Sequence, residues 1–271
     1  MIGYSVRKIK QSKWHISNRC LVPFDLADKP DITRFQAVLA ALRFSVFLVR
    51  WDSSDDSSDT EWWKVIFTGH YSFDDLKKKV RYEIRKGIAN YSYRVVSKSD
   101  IHKDGYEVYK LAYSRYNTYE HMMSKEEFLE SINGMDDCIE FRAVYSIDGN
   151  MMVAFAENIV QQKYCFMSSM WVTPEALSNN AGYFLIHEIL EEYMNKREFS
   201  YVSDGSRNIG HETSIHDFLR RKFGFHNKKM RLNVVYHPLM FPLVKGLYFF
   251  RAIIPKHGRV TALLQLEKFS S

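Results

Sequence analysis

Cysteine is scarce and unpatterned in this 271-residue chain: Cys20, Cys138 and Cys165 are odd in number, far apart and in no Cys-x-x-Cys spacing. That excludes a disulfide framework and a thiolate zinc site, and makes a reducing cytoplasm the expected compartment. Long apolar runs are missing as well. The two richest stretches fall short of the ~20 uninterrupted residues that a membrane span requires. Residues 38–49 hold Arg43, and residues 239–255 hold Pro242, Lys245, Gly246 and Arg251, so no span is expected. Met1 to Lys10 alternates like a strand and lacks the apolar stretch of a secretory signal. No Gly-x-Ser-x-Gly elbow, P-loop or dinucleotide fingerprint occurs, which removes support from hydrolase and kinase readings. His211 and His216 stand at i and i+5, about 140° apart on a helix, so they make no zincin pair and no metal is expected.

What is present describes a soluble globular chain: 46 % hydrophobic, 15 % aromatic and 26 % charged residues rule out disorder as the main state. At roughly 100–200 residues per domain the length suits one large domain or two modest ones. Lys and Arg number 38 against 32 Asp and Glu, a net charge of +6 with a pI near 9.0. Such a bias favours polyanionic partners: cofactor phosphates, nucleic acid or anionic lipid.

Asp52 to Glu61 is the sharpest compositional break, and it reads as a solvated loop between two strands. From Ser72, a candidate cap, the pattern turns helical over 73–88. Leu76, Val80, Ile84 and Ile88 mark an apolar face, and Lys77, Arg81 and Arg85 a basic one. That basic face either grips phosphates or is solvated surface. A strand over 91–96, a tyrosine-rich helix over 105–119 and a capped helix over 124–132 follow. The turn chemistry of Asn133 to Asp137 divides the chain into an N-terminal α+β part, 1–135, and a C-terminal part, 136–271.

The second part begins as an antiparallel meander, Ile139 to Ile147, Met151 to Val160 and Lys163 to Val172, with Asp148-Gly149 as a hairpin signal. A loop, 173–182, leads to a helix carrying Ile186, Ile189, Leu190 and Tyr193. A short strand, 199–203, and a helix with Ile215, Phe218, Leu219 and Phe223 come next, stopped by Gly224. The third strand, small-residue loop and helix N-terminus would place backbone N–H groups where a diphosphate could sit. Asn179, Asn180, Ala181 and Gly182 allow close approach there.

This order, with Gly224-Phe225 closing the late helix, resembles the GNAT acyltransferase superfamily over about the last half of the chain. The Arg/Gln-x-x-Gly-x-Gly/Ala loop of that superfamily is absent, since Gly182 stands alone. A narrower resemblance is to the Fem-type branch, which pairs two GNAT-like halves and transfers aminoacyl groups from charged tRNA. Lys77 to Gly87, Asp204-Gly205-Ser206-Arg207-Asn208 and His216 to Phe225 carry it. The resemblance implies an α+β fold, a GNAT-like mixed sheet flanked by helices, with the N-terminal half a degenerate second unit. It further implies acyl transfer from acyl-coenzyme A to a small-molecule or peptide amine, with Val172 and Asn179 to Gly182 at the donor. The alternatives are aminoacyl transfer from tRNA and a non-catalytic polyanion-binding module on the same fold, with Lys77, Arg81 and Arg85 on the polyanion.

Attack by an amine needs a base, a proton donor to the leaving group and donors for the oxyanion. Glu157, on the second meander strand, is a candidate base whose pKa burial would raise, or else an outward-facing strand residue. Asp204, at the end of the late strand, either orients or deprotonates the acceptor or caps the turn after it. Ser206, Arg207 and Asn208 would then contact the acceptor. Tyr183 is the candidate proton donor to the leaving group, or a packing residue.

Overall fold

The computed structural model describes residues 6–17, 19–24, 30–54, 60–115, 121–147, 151–209, 214–254 and 258–270. In chain order the elements run β1 (Val6–Ile9), β2 (Ser12–Ser17), β3 (Cys20–Pro23), α1 (Arg34–Arg43), β4 (Leu48–Ser54), β5 (Trp63–Phe67), α2 (Lys78–Asn90) and β6 (Tyr91–Val96). Next come α3 (Lys98–Asp100), which continues through a π-helical turn, Ile101–Gly105, into α4 (Tyr106–Tyr113), and α5 (Lys125–Asn133). The meander is β7 (Ile139–Ser146), β8 (Met152–Gln161) and β9 (Tyr164–Val172). The chain continues with α6 (Pro174–Ser178), α7 (Ala181–Leu190) with a π-helical extension Glu191–Lys196, β10 (Tyr201–Ser206), α8 (Ser214–Phe223), β11 (His226–Tyr236), α9 (Phe241–Phe249) and α10 (Gly258–Ser270).

Two compact units result: one made chiefly of 66–205 with 218–226, and one of 4–65 with 206–217 and 227–271. The division runs through β5 and β10 and not at 135/136, because β6 pairs antiparallel with β7 from Tyr91–Ser146 to Val96–Phe141. In the second unit β1, β2 and β3 form an antiparallel meander, β3 runs parallel to β4, and β4 pairs antiparallel with β11. Trp14, Leu21, Ala37, Ala41 and Val49 fill its core under α1, and Leu48, Trp62, Met230, Leu232, Val244 and Leu266 form a second cluster. The expected acidic loop is shorter than its composition suggests. β4 extends to Ser54, and Asp52 accepts from the Trp62 indole N–H at 2.8 Å and from the Ser206 hydroxyl. Residues 55–59 and the turn 148–150 lie outside the described residues.

In the first unit β6, β7, β8 and β9 are antiparallel neighbours and β10 lies parallel to β9. Side chains alternate across a strand, so Phe141, Phe155 and Trp171 share one face while Arg142 and Asn158 share the other. α4 and α5 cover the first face: Tyr109 stacks on Phe128 at 5.3 Å and meets Trp171 edge-on at 4.8 Å. α7 covers the opposite face, where its π-helical extension brings Tyr193 onto Arg142 and Glu140. Leu185, Ile186, Ile189 and Leu190 of α7 are buried there.

α2 starts five residues later than the sequence suggests. Its N-cap is Lys77, with no side-chain cap, and residues 73–77 form a turn closed by Leu76 N–H on Phe73 O. Ser72 lies too far upstream to reach the first turn. Val80, Ile84 and Gly87 are buried, whereas Ile88 is exposed. Gly87 sets the crossing of α2 on α7, since a Cβ there would stand 2.7 Å from Phe184 Cβ and 3.0 Å from Asn180 O. A Gly87→Ala variant should therefore lose stability although alanine favours helix by about 1 kcal/mol. Overpacking of about 1–3 kcal/mol outweighs that gain, and a urea midpoint that rises in the variant would refute the close crossing.

Candidate functional site

The ladder between β9 and β10 comprises three pairs, Tyr164–Tyr201, Cys165–Val202 and Phe166–Ser203, while β9 continues to Val172 and β10 to Ser206. Two backbone irregularities flank its end. On β9 the partners of β8 step from Glu157–Ser169 to Asn158–Met167, which leaves Ser168 as the extra residue of a β-bulge. Its hydroxyl donates to Glu157 O at 3.2 Å. On β10, Gly205 has φ +89°, and a Cβ there would press on the Phe166 ring at 3.0 Å. Only glycine occupies that combination without strain. The seam between the carboxyl ends of these two parallel strands thus carries no pair beyond Phe166–Ser203, at the place where open sheets receive ligands.

Glu157 sits beside this seam and is buried, 4 % exposed. Phe141 pairs with it on one side and Ser169 on the other. Burial raises its carboxyl above the usual range. Its Oε2 has no hydrogen-bond partner among the described residues. The carboxyl is thus desolvated and incompletely satisfied, as suits a group that must take a proton near neutral pH. Ser168, Ser169 and Trp171 were not among the residues singled out in the sequence. Their signal was the Ser-Ser step inside the apolar strand Cys165 to Val172.

The expected loop 173–182 is partly helical. Thr173 caps α6, with Pro174 in its first turn, and the N–H groups of Asn179 and Asn180 already donate to Glu175 and Ala176 and to Leu177. Asn180 then adopts φ 70° and starts α7, so that Ala181, Gly182 and Tyr183 supply the donors at its N-terminus. Val172 is buried at the end of β9 and pairs with Ala154. Tyr183 lies half-buried against α8, edge-on to Phe218 at 4.9 Å and tilted to Phe223 at 6.0 Å. Burial, and then the charge of Glu83, push its hydroxyl pKa up, so it stays protonated. Glu157 and Tyr183 belong to opposite faces of the sheet.

Asp204 is half-buried on β10, and the Gly205 N–H after it donates to Ser203 Oγ at 3.0 Å. The residues expected beside it divide differently. Ser206, Arg207 and Asn208 belong to the second unit. There Ser206 bonds Asp52, and Arg207 donates from Nη1 to Glu61 O at 2.9 Å and lies 4.5 Å over the Phe269 ring.

The basic stripe of α2 is largely engaged within its own unit. Arg81 donates to Asp74 O at 3.1 Å, and Arg85 lies 5.2 Å over the Phe73 ring. Lys77 is exposed at the N-cap. Tyr71 Oη and His187 Nδ1 lie 2.9 Å apart under the same turn, and burial lowers the His187 pKa so that the ring is neutral.

No protein-family model matches the chain, and no curated protein resembles it significantly in sequence. Solved structures resemble it in fold. A crystal structure of FemX superposes with a TM-score of 0.57 at 8 % identity over 90 % of this chain and 90 % of that one. L-PGS from Bacillus licheniformis gives 0.52 at 12 % identity over 96 % of this chain and 86 % of that one. A GCN5-related N-acetyltransferase from Sphaerobacter thermophilus gives 0.46 at 12 % identity over 83 % and 76 %. The fold is a mixed α+β fold, similar to that of FemX and L-PGS.

Proposed function

We propose that the chain transfers an acyl group from an activated carrier to an amine, with the chemistry at the seam between β9 and β10. Glu157 is the observation that carries this reading, a buried carboxyl with an unsatisfied oxygen beside a bulged strand. The amine nitrogen attacks the acyl carbon, its proton passes to the Glu157 carboxylate, and the bond to the carrier sulfur or oxygen breaks. The leaving group takes its proton from solvent, because Tyr183, against Phe218 and Phe223, lies on the opposite face of the sheet from Glu157. Asp204 orients the acceptor.

Acyl-coenzyme A is the donor in this reading, its diphosphate received by the N–H groups of Ala181, Gly182 and Tyr183 and by the positive end of α7. A second reading, an aminoacyl ester of tRNA, is favoured by one observation. The α6 turn engages the N–H groups of Asn179 and Asn180, which shortens the run of amides open to a diphosphate. Fold alone does not choose between the two.

Glu157→Gln removes the base and should lower turnover roughly a hundredfold or more. Wild-type turnover should rise with pH through the raised value, because only the carboxylate accepts a proton, and the variant should lose that limb. Stability runs the other way. The folded chain keeps the Glu157 proton to higher pH than the unfolded chain, whose carboxyl titrates near about 4.3, so wild-type stability falls as pH rises between the two values. Glu157→Gln should therefore have the higher urea midpoint at pH 8, and the difference should shrink at pH 4. Midpoints that move in parallel would remove Glu157 from the interior.

Gly182→Val tests the donor. A Cβ at Gly182 would lie 3.3 Å from Leu177 Cδ1, on an exposed side chain that can yield, so the fold should survive while coenzyme A affinity falls about tenfold by calorimetry. Unchanged affinity would exclude the α7 N-terminus. Under the tRNA reading, filter binding should be steep in salt, and a Lys77→Ala, Arg81→Ala, Arg85→Ala variant should lose both affinity and slope. Equal, salt-insensitive retention in both proteins would exclude tRNA.

A further inference from the structure

β1 ends the strand order: it pairs with β2 on one side and, among the described residues, with no strand on the other. The two strands join through Lys10 and Gln11, so Ile9 and Ser12 flank a two-residue hairpin loop as a hydrogen-bonded pair. Lys8 and Lys13 are then the next pair, which is not hydrogen-bonded. Lys13 O bears out this phase, since it accepts from Phe24 N–H at 2.9 Å, on the side away from β1. In such a pair the backbone groups point away from the facing strand, so the N–H and C=O of Lys8 are turned outward, where a further strand would meet them.

That edge borders a cleft of about 220 Å³ between β1 and α1, lined by Lys8, Ile9, Leu39, Ala40, Arg43 and Phe44 among others. Side chains of Lys8 and Ile9 alternate to opposite faces, so a cleft that both of them line lies across the strand edge. Ile9 and Phe44 form its apolar floor, packed on the core cluster of Trp14 and Ala37, and Leu39 stands half-exposed at the rim. Lys10 is paired with Asp31 at 3.1 Å. Lys8 and Arg43 are exposed and have no carboxylate partner among the described residues. Sites that enclose a whole small molecule measure roughly 300–1,000 Å³. This cleft is smaller, and suits one or two side chains projecting from a chain that lies along the edge.

Charge says which chain. Residues 6–15 hold four Lys and Arg and no Asp or Glu. Lysines on an edge strand repel a second copy of the same edge, but they attract an acidic one. A nucleic acid would use the cations and leave the outward backbone groups of Lys8 and the apolar floor idle.

We propose that β1 and α1 form a docking groove for an acidic, extended segment of a partner protein. The segment adds to the edge of β1 as a strand, sets carboxylates against Lys8 and Arg43, and lays an apolar side chain on Ile9 and Phe44. Selection of binders to the whole chain from a library of random twelve-residue peptides tests it. Enriched peptides should carry Asp or Glu alternating with apolar residues, and their binding, read by fluorescence anisotropy, should weaken as salt is raised. Lys8→Gln, Arg43→Gln in one chain should lower affinity about tenfold. Circular dichroism and the urea midpoint should not move, because both side chains are exposed. Methylating alternate backbone nitrogens of a selected peptide removes its strand hydrogen bonds and should lower affinity by at least as much. Selection of no peptide, or of acid-poor peptides alone, overturns the proposal, as does equal binding by the double variant. Binding that the double variant loses but N-methylation leaves intact assigns the cleft to carboxylates alone and overturns strand addition.

Discussion

A parallel ladder continues for as long as both strands keep an extended backbone and matching register, and in the first unit it stops early. Ser168 adds a residue to β9 and Gly205 turns β10 into left-handed backbone, just where Phe166 and Ser203 make the last pair. Everything proposed about chemistry depends on that interruption. Beyond Phe166 and Ser203 the two strands make no further pairs with each other, one strand away from the buried Glu157.

The seam needs rigid walls, and polar interactions supply one of them. On the face opposite Glu157, Arg142 is 3 % exposed and its Nη2 reaches Glu140 at 2.6 Å, while Arg197 grips the same carboxylate at 2.7 and 2.9 Å. Tyr193 closes the network on Glu140 at 3.0 Å, and burial holds its hydroxyl protonated. Breaking such a buried pair costs about 3–5 kcal/mol, because the remaining charge is left without a partner. The network pins the extension of α7 to β7, which fixes α7 and with it the donors at Ala181 to Tyr183. The other wall is apolar: Tyr109, Phe128, Phe155 and Trp171 interlock beneath α4 and α5.

Local chemistry in the chain marked most elements correctly. The meander strands, the Ser124–Glu127 capping box and the left-handed Gly224 all follow from patterns within a few residues, and all are present. Two helix starts were misread. Acids near Ser72 suggested a helix start, but Arg81 folds back onto Asp74 and leaves 73–77 as a turn. Pro174 reads as loop punctuation, yet with Thr173 before it the residue serves as the first turn of α6.

Alternation, periodicity and caps thus determined an α+β chain with a strand meander, a loop-helix and a late strand-helix, because those signals act over one or two turns of chain. Only the tertiary structure decided that Glu157 faces inward, that the β9–β10 ladder ends at its third pair, and that Ser206 and Arg207 bond Asp52 and Glu61. Burial, register and long-range pairing depend on residues far apart in the chain, from Tyr164 with Tyr201 to Asp52 with Ser206. The energy that selects them resides in contacts that no short window of sequence contains.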